Sequence, residues 1–380
     1  MTALLRVVLD QVVAPTDPNL AMASRELTRA LVQSAPSGCE VEGIVPSAAD
    51  VAGAVEGAVP GLASLSRMSL ARRELAAAWQ LGVAPGVGGG MIHSPTLMAP
   101  LVRHDRVHDN DQTVVTLWDL DAWERPEEMP RGAVAWHKAM LKRAAKFADA
   151  VVVPTHAMAE RVGSLGDFGD RIRVIAGAAP AGFAVPVDEI GRRRALGLPE
   201  GFVLVSGSSA PSARLAEAFA AVFSSGADLP VVVLGVPEGD DPAVLDLAAA
   251  ARLGEGRVHV RRSLEDADRG AVLGGAVALL APSRLTSFPW RVVEALTVGV
   301  PVVAADSSAH RDVVLDGGVL VADADFDQAA AVGDALGDAL AAVLGSTDAV
   351  DRYAVLASDR GRAFSWAGAA ERVWQLHADL

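Results

Sequence analysis

Short runs of aliphatic residues alternate with alanine-rich stretches along almost the whole chain, and this alternation restricts the fold more than any other feature. The runs are continuously apolar, which indicates strands buried on both faces. Strand-like runs occupy residues 4–13, 113–119, 150–155, 172–177, 202–208, 231–236, 257–262, 276–282 and 301–306. Helical patterns occupy residues 20–35, 134–148, 213–223, 289–299 and 360–380. Strands that alternate with helices predict an α/β fold with parallel sheets covered by helices.

The chain is long enough for two cores, since it has 380 residues, of which 51% are hydrophobic. A segment at 176–189 is rich in Ala, Gly and Pro and has no strand or helix period, so we place a domain boundary there. We expect domains at 1–183 and 184–363, and a last helix at 364–380. Two similar α/β halves usually bind a ligand in the cleft between them.

Composition excludes several classes of protein. Cys39 is the single cysteine, which excludes a disulfide framework or a thiolate cluster. The formal net charge of −14 repels nucleic acid and anionic lipid at long range. The longest apolar run, 271–282, is too short to span a bilayer, and the N-terminal run contains Arg6 and Asp10 and is typical of a first strand. We therefore expect a cytoplasmic protein without a nucleic-acid partner.

Three loops of small polar residues follow buried strands of the second half, at 207–214, 281–291 and 305–312. In open α/β sheets, ligands bind beyond the carboxyl ends of the strands, and the helices that follow favour anions at their first turns. Glu294 stands in the first turns of the helix that Pro289 opens. Two interpretations stay open: the carboxylate interacts only with the helix dipole, or it accepts hydrogen bonds from sugar hydroxyls.

A second polar segment, RHDRVHDND at 103–111, places His104 and His108 among aspartates. These residue types can ligate a divalent metal ion. The segment lacks a helical apolar face that would fix their spacing, which favours a solvated turn before a strand. We predict no metal site.

The segment APSRLTSFPWRVVEALTVGVPVVAADSSAHRDVVLDGGVLVAD at 281–323 resembles the donor-binding segment of retaining glycosyltransferases of family four. The matching positions are Pro282, Ser283, Phe288, Glu294, Ala295, Gly299, Pro301, Val302, Val303, Gly317 and Gly318. Weaker similarities follow the family order along the chain. The resemblance implies the GT-B fold, with two Rossmann-like domains whose parallel sheets face each other across a cleft, and with the last helix crossing back to the first domain. It also implies transfer of a sugar from a nucleotide-sugar donor with retention of configuration, without a metal ion or other cofactor.

By this resemblance the second domain holds the donor and the first domain holds the acceptor. Glu294 would hold the ribose hydroxyls of the donor. Backbone amides around Gly207 and Ser208, and around Ser287 and Phe288, would contact its diphosphate or its sugar.

The chain departs from the family pattern at the donor site. The family has a pair of glutamates eight positions apart, and Thr286 stands where the first is expected. A basic pair usually holds the diphosphate, and Ser212 and Ala213 stand there. Arg214 and Arg291 either replace these phosphate contacts or are surface residues on helices.

A further departure lies in the first domain, where Trp118 replaces a histidine that the family often has beside Asp119. Asp119 is the catalytic candidate. Trp118 either packs in the cleft or stacks on the face of a sugar.

These features predict a hexosyl-type glycosyltransferase acting on an unidentified glycan or lipid-linked acceptor. The altered positions favour an alternative, a catalytically degenerate GT-B protein that partners or regulates an active glycosyltransferase. A third interpretation, epimerisation of a nucleotide sugar, is weaker because it requires acid and base groups that the sequence does not reveal. A lipid-linked acceptor would place the protein at the inner face of the membrane.

Overall fold

The computed structural model describes residues 3–84, 86–254, 256–322 and 329–380. The last residue of the segment that carries the family resemblance, 323, lies outside these ranges. The chain divides into two compact units, one formed by 1–177 together with 365–380 and the other by 178–364. Within the described residues, no helix combines the length and the hydropathy needed to cross a membrane.

Strands and helices alternate through both units, as the aliphatic runs predict. The strands are β1 (Ala3–Val8), β2 (Cys39–Val45), β3 (Ser64–Arg67), β4 (Met91–Ser94), β5 (Gln112–Thr116), β6 (Ala150–Val153), β7 (Ile172–Val174), β8 (Phe202–Ser206), β9 (Val231–Leu234), β10 (Val258–Arg261), β11 (Ala276–Ala281), β12 (Val302–Ala305) and β13 (Val319–Val321). The helices are α1 (Asp10–Val13), α2 (Pro18–Gln33), α3 (Val51–Ala58), α4 (Arg72–Gln80), α5 (Arg106–Asp109), α6 (Asp121–Glu124), α7 (Arg131–Phe147), α8 (His156–Gly163), α9 (Glu189–Ala195), α10 (Leu215–Ser224), α11 (Asp241–Ala250), α12 (Asp266–Gly275), α13 (Trp290–Val298), α14 (Ser308–Val314), α15 (Ala329–Leu344), α16 (Thr347–Gly361) and α17 (Trp366–Asp379).

The first unit contains a seven-stranded sheet in the order β3-β2-β1-β4-β5-β6-β7, and the second a six-stranded sheet in the order β10-β9-β8-β11-β12-β13. Every strand pair in both sheets is parallel. The strand order reverses beside β1 in one sheet and beside β8 in the other, the points at which doubly wound sheets bind ligands. Two Rossmann-like units with parallel sheets confirm the α/β fold class.

The strand predicted over 4–13 is correct only in its first half. The strand ends at Val8, and residues 10–13 form the short helix α1. Asp10 is completely buried there and pairs with Arg72 at 2.9 Å. A buried carboxylate requires such a partner, and a β-strand pattern contains no signal for a partner so distant in sequence.

The last predicted helix, 360–380, is divided in the structure. Helix α16 ends at Gly361, and α17 begins after Ser365, whose hydroxyl accepts a hydrogen bond from the amide of Gly368 at 3.3 Å. In the first unit, α17 packs against α2, and Trp374 donates its indole N–H to the carbonyl of Leu31 at 3.2 Å. The buried tryptophans of this helix therefore attach it to the first unit.

Candidate functional site

Three neighbouring strands of the second sheet, β8, β11 and β12, direct their carboxyl ends to one edge. The loops that follow them are tied together by side chains. Ser283 donates its hydroxyl to the carbonyl of Ser212 at 2.7 Å, which joins the loop after β11 to the loop after β8. Ser209 donates its amide at 2.7 Å and its hydroxyl at 2.5 Å to the carboxylate of Asp240, which follows β9. The edge is therefore a continuous surface of small polar residues.

Gly207 opens the loop after β8 and allows the chain to turn closely. Its φ is +150°, and a Cβ atom there would lie 2.9 Å from Cβ of Ala213, so a side chain would force the loop to move. Ser208 tightens the turn by accepting a hydrogen bond from the amide of Ala210 at 3.3 Å. Gly207 and Ser208 thus occupy the strand end where backbone contacts to a donor are predicted, and those contacts stay a prediction.

Glu294 lies in α13 and is 1% exposed. Its two carboxylate oxygens each accept a hydrogen bond from Nε of Arg269 at 3.0 Å, and Nη1 of Arg291 donates to Oε2. Burying an unpaired carboxylate this deeply would cost a large amount of free energy. The burial of Glu294 therefore depends on its ion pairs with the two arginines. The predicted contact of Glu294 with ribose hydroxyls has to use lone pairs that the arginines leave available.

Arg269 completes this cluster from α12. It also donates to Asp266 at 2.7 Å and to the carbonyl of Leu264 at 2.8 Å, and its guanidinium lies 5.4 Å from the ring centroid of Phe183. Burial lowers the pKa of Arg269, but the charges and hydrogen bonds of Glu294 and Asp266 together outweigh burial and raise it. No sequence motif indicates this arginine, because it stands 25 residues from Glu294 on another helix.

Both arginines that the sequence suggested as phosphate contacts have carboxylate partners. Arg214 donates to Glu217 at 2.9 Å from a left-handed backbone conformation, φ +55°. Arg291 donates to Glu294, and burial lowers its pKa despite this partner. Phosphate binding by either residue stays a prediction and would have to compete with these ion pairs.

The loop after β11 contains three further predicted donor contacts. Phe288 is 4% exposed and packs edge-on against Trp290, with ring centroids 4.6 Å apart. Thr286 and Ser287 precede it and are partly exposed. Both lie in the loop between β11 and α13, and the predicted backbone contacts stay a prediction.

A charged group that sequence reasoning missed lies at the end of β12. Asp306 accepts two hydrogen bonds from Arg311, at 2.5 and 2.7 Å. These bonds lower the pKa of Asp306, and the positive charges of Arg311 and Arg284 lower it further. The signal available in the sequence was Arg284 itself, a cation placed directly after the Pro-Ser pair that follows β11.

In the first unit, Asp119 follows the carboxyl end of β5. Its Oδ1 accepts a hydrogen bond from the amide of Asp121 at 3.2 Å. Burial, and then the negative charge of Asp121, raise the pKa of Asp119 to about 6, whereas the charge of His137 opposes the increase. A carboxyl group with a pKa near neutrality suits proton transfer.

Trp118, beside Asp119, is 4% exposed. Its indole N–H donates to the carbonyl of Pro95 at 2.9 Å, and its ring contacts Trp366 edge-on with centroids 6.1 Å apart. Trp118 therefore packs against other side chains, which is the first of the two interpretations given above for this residue. Stacking on a sugar would require a ring face that is covered here.

The polar segment at 103–111, for which the sequence favoured a solvated turn, contains the four-residue helix α5 with Asp105 as its N-cap. His104 bonds to Asp149 at 2.7 Å, and His108 bonds to Asp105 at 2.9 Å, so the two histidines have different partners. Across the described ranges, no group of three or more His, Cys, Asp or Glu side chains is arranged to hold a metal ion.

The fold defines the class of architecture to which the chain belongs. Its two Rossmann-like units with parallel sheets have structural neighbours among GT-B glycosyltransferases, so the protein has the GT-B fold. Residues 199–339, which include the strand ends after β8, β11 and β12, match the family described as glycosyl transferases group 1. No curated protein sequence matches the chain.

Individual solved structures resemble the chain over nearly its whole length. Sucrose-phosphate synthase from Thermosynechococcus elongatus is 17% identical, with a TM-score of 0.71, 99% of this chain covered and 98% of the other. HepE from Anabaena, solved in complex with UDP and glucose, is 16% identical, with a TM-score of 0.69 and both chains covered completely. A glycosyltransferase from Rickettsia africae is 12% identical, with a TM-score of 0.65, 100% of this chain covered and 98% of the other. At these identities the likeness establishes the fold.

Proposed function

We propose that this protein is a glycosyltransferase that transfers a sugar from a nucleotide-sugar donor to an acceptor, with retention of configuration. The observation that carries the proposal is that the match to glycosyl transferases group 1 covers the strands whose carboxyl ends form the polar edge. HepE, which shares the fold, was solved with UDP-glucose, so UDP-sugars are the first donors to test.

The donor belongs to the second unit in this proposal and the acceptor to the first. Glu294 and the amides of the loops after β8 and β11 hold the donor. Asp119 is the candidate to accept the proton of the acceptor hydroxyl, because its raised pKa lets it exchange a proton near neutral pH. The acceptor is a glycan or a lipid-linked saccharide, and the reaction needs no metal ion.

Thermal stability measured against UDP-, GDP- and ADP-sugars tests the proposal. A donor at a hundred times its Kd adds about 2.7 kcal/mol of stability to the protein that binds it. We expect the sugars of one of these nucleotides to raise the melting temperature of the wild type. Glu294→Gln should reduce this increase, and Thr286→Ala should retain it. If none of the nucleotide sugars raises the melting temperature, the proposed transferase function is rejected.

A second candidate function is a catalytically degenerate GT-B protein that partners an active glycosyltransferase. The observation in its favour is that Arg269 and Arg291 already occupy the carboxylate of Glu294, while Thr286 lacks the carboxylate of the family pair. This candidate predicts no nucleotide-dependent shift and no transfer of sugar from any donor.

A further inference from the structure

Two buried histidines of the first unit contact each other where α17 meets the sheet. His93 lies in β4 and is completely buried, and His377 lies in α17 and is 3% exposed. Their rings meet edge-on with centroids 5.6 Å apart, and Nδ1 of His93 lies 3.4 Å from Nε2 of His377. The proposed function assigns no role to this histidine pair.

The neighbours of the histidine pair assign one proton to each ring. Nδ1 of His377 lies 2.9 Å from the side-chain oxygen of Gln112 and therefore donates to it, and the side-chain amide of Gln112 donates to the carbonyl of His377 at 3.2 Å. Nε2 of His377 is then the acceptor for Nδ1 of His93. Nε2 of His93 accepts in turn from the hydroxyl of Thr116 at 3.3 Å. All four ring nitrogens are thus used, and both rings are neutral.

An added proton disturbs this arrangement at either ring. On Nε2 of His377, the proton would meet the N–H of His93. On Nε2 of His93, Thr116 would turn to accept it, but the ring would become a completely buried cation whose two hydrogen-bond partners are both neutral. A buried charge without an opposite charge beside it costs a large amount of free energy.

The charged groups on the elements packed around the pair are engaged elsewhere or exposed. They are Arg6 of β1, Arg25, Glu26 and Arg29 of α2, and Glu371, Arg372 and Asp379 of α17. Glu26 pairs with Arg25 at 2.7 Å and with Arg29 at 3.4 Å. Arg6 pairs with Glu42 at 2.7 Å, and the three charged residues of α17 are exposed.

Burial also makes the two histidines weak bases. It lowers the pKa of His377 to about 4, although the negative charge of Asp149 opposes this change. The carboxylate of Asp149 already accepts hydrogen bonds from His104 at 2.7 Å and from the amide of Thr113 at 2.7 Å. Burial, and then the charge of His377, lower the pKa of His93 well below its ordinary value of 6.5.

We propose that acidification releases α17 from the first sheet, because the histidine pair is bonded as two neutral rings and a proton added to it becomes a buried, uncompensated charge. After release, both rings take up protons at the ordinary pKa of 6.5. The attachment is therefore complete above pH 6.5 and weakens as the pH falls from 6.5 towards 4. Because Trp366 of α17 packs against Trp118, release also removes a contact from the ring beside Asp119.

Hydrogen exchange of the full chain at pH 7 and pH 5, with exchange times scaled to the intrinsic rate of amides at each pH, tests this inference. We expect the protection of peptides from α17 to fall by about twentyfold or more between pH 7 and pH 5, because release raises the pKa of His377 from about 4 to its ordinary value. Peptides from β6 report the opening of the whole first unit and should stay better protected than α17 at both pH values.

Variants without the titrating rings identify the groups responsible. His377→Asn keeps a donor towards Gln112, and His93→Asn likewise replaces a ring by an amide that takes up no proton in this range. We expect the double variant to have the same protection of α17 at pH 7 and pH 5. His156→Gln, which replaces an exposed histidine of α8, is the matched control and should retain the wild-type decrease.

Three results would overturn the inference. Equal protection of α17 in the wild type at both pH values would do so whether or not the variants fold. An undiminished decrease in the double variant would assign the effect to another group. Protection of α17 as high as that of β6 would show that the helix detaches only when the whole unit unfolds.

Discussion

Glu294 owes its burial to two arginines, so its contribution to stability depends on both of them. Removing one member of a buried ionic group leaves uncompensated charge, which typically costs about 3–5 kcal/mol. We expect Glu294→Ala to lower the free energy of unfolding by an amount of this size, because Arg269 and Arg291 lose their shared partner. Urea unfolding measures the change.

Thr286→Ala is the control for this prediction, since Thr286 is partly exposed in a loop and we expect a change within about 0.5 kcal/mol. A Glu294→Ala variant as stable as Thr286→Ala would contradict the structural role of the cluster. Such a result would indicate that the carboxylate of Glu294 serves ligand binding and not stability.

Asp119 makes stability depend on pH in the opposite direction from a salt-bridged carboxylate. Its pKa is raised from the ordinary value of 3.8 to about 6 in the folded protein, so the folded state favours the protonated form. The associated stability is present below pH 4 and is lost as the pH rises towards and through 6, by at most about 3 kcal/mol. We expect Asp119→Asn to remove this loss, so that the variant gains stability relative to the wild type between pH 4 and 7.

Thermal melting of both proteins from pH 4 to 8 measures the difference. A constant difference across that range would show that the carboxyl group does not titrate there. In a transferase assay, the same substitution should also abolish any limb of the kcat/KM profile with an apparent pKa near 6.

The sequence predicted where the strands of the second sheet end better than it predicted what the side chains near those ends contact. The motif that contains Glu294 and Phe288 locates the strand ends correctly, because the strand-loop-helix order is local. Arg269 was missed because its contact with Glu294 joins two helices that no spacing rule relates.

At the scale of elements, α13 is positioned by close packing against α16. Gly361 of α16 makes this approach possible, since a Cβ atom there would press on the carbonyl of Leu296 and lie 2.8 Å from the amide of Thr297. We expect Gly361→Ala to destabilise the protein by about 1–3 kcal/mol, because backbone atoms cannot move aside easily. Chemical denaturation provides the measurement.

Gly368 in α17 offers the matched control, because the nearest atom to its added Cβ would be Cβ of Ser365 at 4.0 Å. With space available, alanine in a helix is favoured over glycine by about 0.5–1 kcal/mol. Gly368→Ala should therefore be neutral or stabilising. Equal effects of the two substitutions would indicate that the contact of α13 with α16 is not tight.

Strands with a continuous apolar run were predicted well, whereas a strand without such a run was missed. The run at 231–236 became β9, which is buried throughout. β3 was missed because its sequence, SLSR, is short and polar, as an edge strand can be when few neighbours cover it. The helical pattern at 360–380 ran across the division, although Gly361 ends α16 and Ser365 caps the start of α17.

At the scale of the whole molecule, composition and the order of elements predict two parallel sheets. They do not predict which segments of the chain belong to which of the two units. The return of residues 365–380 to the first unit depends on side chains such as Trp374, whose partner Leu31 lies 343 positions away. The family resemblance supplied this crossing as an expectation, whereas local pattern alone could not.

Each residue assigned to the donor lies in the unit formed by 178–364. Hydrogen exchange followed by mass spectrometry should therefore show that a bound nucleoside diphosphate slows exchange mainly in loops of that unit, at 207–214, 282–289 and 306–312. Ligand binding slows exchange where it stabilises the closed backbone against local opening. Peptides from β2 and β3, at the outer strands of the first sheet, serve as the internal control and should exchange at the same rate with and without ligand. Protection confined to the first unit would contradict the assignment of the donor, because none of the arginines or loop amides invoked for it is found there.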